Sequence, residues 1–335
     1  MPVVNIGVIG TGNAARQFHV PTPGRSDKFK LLACADAIAG SAKTFAEEYS
    51  IDACDTPEEL VRNDEIDLVV IATKPPTTHR DLALLAIEHG KHVVVEKPMA
   101  ETSGECTEMI DAARAAGTVL SVHHNRRWDV DFLNARDALL QGVLGELKLL
   151  RNDYSAGYEG SVYDWGIHII DQTMMLSEGM AFVGISATMA KPNRDNPTEG
   201  EGFFSANLVR EDGALYQMGM LPVIQGNAFR PGRMTPRFML AGTKGVMIQD
   251  WCQTPMDGFG AGVRFEAAEE GSAGFGNSPS LQASLAIPEF YDELHGAITK
   301  GSECPVTGES ARRSVRAWEL VCRAAVERRS IDIEL

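Results

Sequence analysis

The chain has 335 residues, more than one hydrophobic core usually serves, so two domains are expected. Hydrophobic residues make up 44% and charged residues 23%, the balance of a globular protein, and the formal net charge of −15 argues against nucleic acid or an anionic membrane as partner. Six scattered cysteines (Cys34, Cys54, Cys106, Cys252, Cys304, Cys322) form no C-x-x-C pair, which predicts reduced thiols in a cytoplasmic protein and neither a disulfide framework nor a zinc site.

The first apolar run, Val3, Val4, Ile6, Val8 and Ile9, reads as a buried strand. It is too short to cross a membrane, and no basic leader precedes it. The strand ends in Gly10-x-Gly12-x-x-Ala15, with a helix expected from Ala14. This is the dinucleotide fingerprint in its G-x-G-x-x-A form. Gly10 allows the tight turn, Gly12 lets the backbone approach a pyrophosphate, and the helix N-terminus offers free N–H groups to the phosphates. Glycine-rich turns also have purely structural uses, so the reading leans on the second strand. Lys30–Ala35 is that strand, ending at Asp36, 24 residues past Gly12, where a carboxylate binds adenosine ribose hydroxyls and repels a 2′-phosphate. NAD is therefore expected over NADP.

Ser41–Tyr49 reads as a helix, and Thr56-Pro57 starts another, with Thr as N-cap and Pro at the first helical position. Asp67–Ala72 is a continuous apolar strand, followed by a proline-rich turn at Thr73–Pro76 and a helix from Thr78 to His89. Lys91–Glu96 is a strand that runs into Lys97-Pro98, then come a helix at Ser103–Ala116 and a strand at Thr118–His123. Alternating strand and helix predicts a doubly wound parallel sheet over residues 1–124. Past residue 125 the pattern changes. Helices at Val130–Gln141 and Ser161–Leu176 flank a strand at Glu146–Tyr154. Strands are then expected at Phe182–Ala190, Phe203–Arg210, Ala214–Met220, Arg237–Ala241, Val246–Gln249 and Val263–Glu266, with loops at Lys191–Gly202 and Pro222–Pro236. Helices at Pro288–Lys300 and Gly308–Glu327 close the chain. The expectation is an α/β protein with a second domain, 125–335, built on an open, mainly antiparallel sheet, its final helix able to pack back on the first domain.

Chemistry-bearing residues gather at expected strand ends and on one helix. Glu96-Lys97-Pro98 sits at the C-terminal end of a parallel strand, where open α/β sheets bind ligands. A lysine there can hydrogen-bond a substrate hydroxyl, although an isolated lysine at a strand exit is commonly just solvated. Asp164 and His168 stand at i and i+4 on one helix face, with Asp171 three residues on. A carboxylate beside a histidine fixes its tautomer and raises its basicity. The structural alternative is a capping box of Ser161 with Asp164. In His123-His-Asn-Arg-Arg-Trp128, Asn125 suits the nicotinamide amide, while Arg126 and Arg127 suit a polar substrate or the interdomain joint. The paired histidines point to opposite faces of a strand and no Cys/Asp/Glu cluster completes a site, so no metal is expected.

Taken together, the chain resembles the glucose–fructose oxidoreductase/inositol dehydrogenase (Gfo/Idh/MocA) family over essentially its whole length. The resemblance is carried by Gly10-Thr-Gly-Asn-Ala-Ala15, Asp36, Ala72-Thr73 with His79, Gly90-Lys-His-Val-Val-Val-Glu-Lys-Pro98, Asn125-Arg-Arg-Trp128, Gly142-Val-Leu-Gly145 and Asp164-x-Gly-x-His-x-x-Asp171. It implies that Gly10, Thr11, Gly12, Asn13, Ala14, Asp36, Thr73, His79, Glu96, Lys97 and Asn125 serve the dinucleotide. Lys97, Asp164 and His168 match the catalytic set, with Arg126 and Arg127 toward substrate. His168 would be general base for a sugar or cyclitol hydroxyl, oriented by Asp164 or Asp171 and assisted by Lys97. A homodimer or homotetramer through the open sheet is also implied. Two departures stand out: Thr73-Lys-Pro-Pro76 replaces the usual Pro-Asn, and Gly160-Ser-Val-Tyr163 replaces a glycine-rich lead. The leading expectation is an NAD-dependent dehydrogenase of a secondary hydroxyl. The alternatives are a redox-neutral enzyme that retains NAD, such as a glycosidase or sugar-to-sugar oxidoreductase, and a non-catalytic sugar or cofactor sensor.

Overall fold

The computed structural model describes residues 2–20, 26–156, 162–177, 179–192, 200–222, 237–249, 263–267 and 290–335. The chain divides into two units: Met1–His124 with Pro288–Val315, and Asn125–Ile287 with Arg316–Leu335.

The first unit holds β1 (Val4–Ile9), β2 (Phe29–Ala35), α1 (Ser41–Tyr49), β3 (Asp52–Ala53), α2 (Pro57–Val61), β4 (Leu68–Ile71), α3 (His79–Glu88), β5 (His92–Glu96), α4 (Ser103–Ala116) and β6 (Leu120–His123). The strands form one six-stranded sheet in the order β3-β2-β1-β4-β5-β6, every pair parallel. Each of β4, β5 and β6 is buried along its length or nearly so, and β4 and the middle of β5 accordingly read as unbroken apolar runs, while β6 buries Ser121 and His123 along with Leu120 and Val122. Caps set the helix starts. The Thr56 hydroxyl accepts from the Glu59 N–H, and Thr102 with Glu105 forms a complete capping box. The helix expected after the fingerprint is a single wide turn, Ala15–His19.

One domain assignment changes. Pro288–Val315, expected in the second domain, clusters with the first unit. The reason is the sheet edge: among the described residues β6 is the last strand of the sheet, and the Val306 carbonyl accepts from the Val122 N–H at 3.2 Å and from the Ser121 hydroxyl at 3.0 Å. Lys28, just before β2, pairs with Asp292 at 2.6 Å at the start of α7 (Phe290–Lys300).

The second unit holds α5 (Val130–Leu140), β7 (Leu147–Ala156), α6 (Val162–Met175), β8 (Phe182–Pro192), β9 (Gly200–Arg210), β10 (Leu215–Pro222), β11 (Phe238–Gly242), β12 (Gly245–Gln249) and β13 (Val263–Ala267). The last helix, α8 (Gly308–Glu327), begins in the first unit and ends in the second, followed by β14 (Ile331–Asp332). Eight strands make a sheet in the order β13-β12-β11-β7-β10-β9-β8-β14, antiparallel except for β7 beside β10. The strands on either side of the expected Lys191–Gly202 loop reach further than the sequence suggests, to Pro192 and from Gly200. The short strands β3 and β14, two residues each, have no apolar pattern to announce them. Residues 193–199 and 223–236, most of the two predicted loops, lie outside the described residues.

One face of this sheet is core, with Leu150, Phe204, Tyr216 and Phe238 all fully buried. On the other face, Val246, Ala241, Leu149, Leu215 and Val209 lie in one row across five strands, none of them buried. Helix α6 packs closely on the core because of Gly166, whose missing Cβ would stand 3.0 Å from the Trp318 ring and 3.1 Å from that of Phe204. Among the described residues, no helix is long and apolar enough to cross a membrane.

Candidate functional site

In the first unit the β1 exit is built for close approach. Gly10 has φ of +92°, and a Cβ on it would lie 2.7 Å from the Ala72 carbonyl carbon, so only glycine fits between the two strand ends. Gly12 is the opposite case, with no atom of the described residues within 4 Å of its Cβ position. Among the described residues the space beside Gly12 is clear, and these residues fit a dinucleotide whose phosphates need unhindered N–H groups. Asn13 and Ala14 continue the same turn into Ala15–His19. Asp36 ends β2 with one oxygen accepting from both the N–H and the hydroxyl of Thr11 at 2.7 Å, and the other from the Ile38 N–H at 2.8 Å. Burial pulls its pKa up, but these donors and the Ser41 hydroxyl outweigh burial and hold the carboxyl below its ordinary value. Asp36 is thus a fixed anion locked to the fingerprint. Sequence reasoning passed over Arg16, which donates to the Thr11 carbonyl and pairs with Glu48 at 3.1 Å.

The β4 and β5 exits are tied together by His79. Its Nδ1 lies 2.8 Å from the Pro98 carbonyl and its Nε2 3.0 Å from the Thr73 carbonyl. The Thr73 and Thr78 hydroxyls share a 2.7 Å hydrogen bond. Burial pulls the pKa of His79 down, against the two carbonyls that favour its protonated form. His79 is a brace between the loops that the dinucleotide edge comprises, a role that spacing in the sequence offers no means of reading.

Glu96 lies deeper than a ligand contact at a strand end would suggest. Its side chain is buried, and Oε1 accepts from His19 Nε2 and His123 Nδ1, each at 2.8 Å. Oε2 accepts from the backbone N–H of Lys97 at 3.1 Å. The Tyr291 hydroxyl lies 2.6 Å from His19 Nδ1. Burial alone would raise the Glu96 pKa, yet the two histidines hold it well below the carboxylate range. Burial and the neighbouring His123 push His19 down. Of the described residues, His19, Glu96 and His123 are the group whose ligand atoms, all within 4.8 Å of one another, have the composition of a metal site. His19 and Tyr291 carry no motif in the sequence and are found only through the fold. Lys97, next to Glu96, is half-buried.

In the second unit, Asp164 and His168 occupy the N-terminal half of α6, four residues apart on one face. His168 is buried, and the Trp165 ring meets it edge-on at 6.0 Å. The capping alternative for Asp164 involves Ser161, which lies outside the described residues. The turn Asn125–Trp128 carries Asn125, Arg126 and Arg127 with different settings. Arg127 is buried and grips Asp171 with two hydrogen bonds, Nε to Oδ2 at 2.7 Å and Nη2 to Oδ1 at 2.6 Å. The carboxylate expected within reach of His168 thus has both oxygens engaged by an arginine. The Arg126 guanidinium lies over Trp165 at 4.8 Å and Tyr154 at 5.6 Å, and pairs with Asp129 at 3.0 Å. The Arg126 carbonyl accepts from Gln172 Nε2 at 2.7 Å, which pins the turn to α6. Burial, only partly offset by Arg126, lifts Asp129 to about 7. The aromatic and acidic partners of Arg126 are scattered over three segments, so spacing alone could not have assembled them.

Residues 4–124 match a family model described as an oxidoreductase family with an NAD-binding Rossmann fold. Over 363 residues the chain is 27% identical to the scyllo-inositol 2-dehydrogenase (NADP(+)) IolW of Bacillus subtilis, covering 99% of this chain and 96% of that one. It is 30% identical over 269 residues to an uncharacterised oxidoreductase of Schizosaccharomyces pombe, covering 74% and 71% of the two chains. An NAD-binding protein from Listeria innocua superposes with a TM-score of 0.81 over 98% of this chain and 96% of its own, at 24% identity, which speaks to the fold.

Proposed function

The chain belongs to the Gfo/Idh/MocA family of oxidoreductases, and from that premise we propose that it is an NAD-dependent dehydrogenase of a secondary hydroxyl on a sugar, glycoside or inositol ring. The observation that carries the reading is the pairing of Asp164 and His168 on the first turns of α6, in a chain that also offers Lys97 at the exit of β5. Bound nicotinamide supplies the hydride acceptor. His168 takes the proton of the reacting hydroxyl, and Lys97 hydrogen-bonds the oxygen as charge develops on it. With Asp171 held by Arg127, the task of orienting His168 falls to Asp164. Arg126 serves a polar substrate, its guanidinium lying over the Trp165 ring at 4.8 Å.

Asp36 supports NAD over NADP, because a carboxylate fixed by Thr11 and Ile38 faces the position where a 2′-phosphate would add negative charge. The NADP-linked relative makes this the sharper part of the reading. The apolar row from Val246 to Val209 supports self-association of the sheet into a homodimer or homotetramer, and the working compartment in this reading is the cytosol.

The test is NAD⁺ reduction monitored at 340 nm against a panel of cyclitols, aldoses and glycosides. Turnover of at least one member with stoichiometric NADH is expected. Turnover of sugars without net NADH would replace a dehydrogenase by a redox-neutral enzyme, and binding without turnover by a sensor.

A further inference from the structure

We propose that Glu96 is a positioning residue for Lys97: a buried carboxylate, held by His19 and His123 and backed by Tyr291, that fixes the backbone from which Lys97 works. The inference rests on reading Lys97 as part of the catalytic set.

Donors and acceptors fit only one arrangement with neutral rings. A neutral imidazole has a single N–H. His19 Nε2–H and His123 Nδ1–H both donate to Glu96 Oε1, which leaves His19 Nδ1 to accept from the Tyr291 hydroxyl. The phenol ring of Tyr291 is buried and comes from α7, while His123 ends β6 and His19 ends the turn after the fingerprint. Two separate segments therefore converge on one carboxylate, and a third holds one of them in place. Burying a carboxylate is costly unless its oxygens are satisfied. Here Oε1 has two donors, and Oε2 has the peptide N–H of Lys97 itself. The anion is thus spent on the orientation of one backbone unit, the unit that carries the proposed catalytic ammonium. His79 secures the far side of the same segment through the Pro98 carbonyl.

The same three ligand atoms could serve a divalent cation. The two 2.8 Å separations to a single oxygen are hydrogen-bond lengths, and a cation would have to displace both N–H protons, so the hydrogen-bonded network is the arrangement proposed.

The test uses the full-length protein and Glu96→Gln, which removes one acceptor and sets an amide N–H₂ against an N–H donor. Three quantities are read: kcat on a substrate the unaltered protein turns over, the Kd of NADH from its fluorescence, and the fraction of Lys97 modified by pyridoxal phosphate with borohydride, mapped by peptide mass spectrometry. The expected result is a fall in kcat of about 10- to 100-fold, the scale of a reactive group displaced by around an ångström, with the NADH Kd changed less than about threefold. Labelling of Lys97 should change several-fold relative to Lys28. Tyr291→Phe, which leaves Glu96 its three donors, should produce the same pattern more weakly. If Glu96→Gln does not fold, Glu96→Asp keeps the charge, shortens its reach and is read the same way. Native kcat with native Lys97 labelling would overturn the proposal, as would kcat and NADH affinity falling in step. One tightly bound zinc per purified chain would overturn it in favour of a metal site. If the unaltered protein turns over nothing, the dehydrogenase reading fails on its own, while labelling and NADH affinity still decide whether Glu96 acts on Lys97.

Discussion

In the parallel unit the groups proposed to face a ligand are largely backbone: the glycine turn after β1, the strand ends of β4 and β5, and Asp36 locked onto Thr11. In the mixed-sheet unit they are side chains on α6 and on the turn Asn125–Trp128, each held by partners far away in the chain. A backbone site needs residues that leave space, and its signature is short and local. A side-chain site needs supporting pairs such as Arg127 with Asp171, and its signature is dispersed.

The largest expected effect tests whether chemistry resides in the second unit. His168→Ala should lower kcat by about 10²–10⁴-fold, the usual worth of a positioned acid–base group, while NADH affinity, served by the first unit, stays nearly constant. Lys97→Met should be similarly damaging, and the double variant less than additive, as befits groups acting as one unit. Full turnover in His168→Ala would remove it from the mechanism and leave Lys97 as base. Next comes the support. Arg127→Met takes both guanidinium hydrogen bonds from the buried Asp171 carboxylate and should cost about 3–5 kcal/mol of stability in urea unfolding, much of it recovered in Arg127→Met with Asp171→Leu. Equal stabilities of single and double variants would mean the pair bears little load.

A smaller effect probes the parallel unit. Asp36→Ser should narrow the preference for NAD⁺ over NADP⁺ by about 1–3 kcal/mol in kcat/KM, the worth of one charged contact. Equal efficiency with both cofactors in the unaltered protein would sink the assignment. The smallest effect is a pH dependence. Asp129 titrates near 7 in the folded chain against an ordinary 3.8. Between about pH 4 and 7 the folded state keeps a proton that the unfolded state has lost, so this group's contribution to stability falls as pH rises through that window and is level above it. Asp129→Asn should flatten that slope and gain on the order of 1–2 kcal/mol at pH 8 relative to pH 4, allowing for its partly exposed pairing with Arg126. Parallel melting curves for the two proteins across the range would refute the assignment.

The contrast between the units also explains what could be read from the sequence. Apolar runs such as Leu68–Ile71 and cap residues such as Thr102 announce their elements locally, and Ser41–Tyr49, Ser103–Ala116 and Gly308–Glu327 fall where spacing puts them. The parallel order of six strands is a consequence of alternation with helices. The grouping of Pro288–Val315 with the first unit is not, because it depends on the need of β6 for an edge partner, supplied at Val306. Tyr291, which backs the His19 that holds Glu96, was invisible for the same reason: it stands 272 residues from His19, and nothing in its neighbourhood marks it. Sequence names a reacting residue by its motif, whereas what holds that residue still comes from wherever the fold delivers a side chain.

Gly166, in the middle of the Asp164–His168 stretch, has a practical consequence for anyone redesigning the pocket. An added methyl would press on Trp318 and Phe204, both rigid rings already in place, and the relief would be a shift of α6 by a few tenths of an ångström. That shift would carry Asp164 and His168 with it, on the scale at which reaction rates respond to misalignment. In a mutational library, alanine at 166 would therefore score as a lost catalyst although it touches no reacting atom. The glycine should be held constant when neighbouring positions are varied, and a hit there should be checked first against smaller residues at 318 or 204.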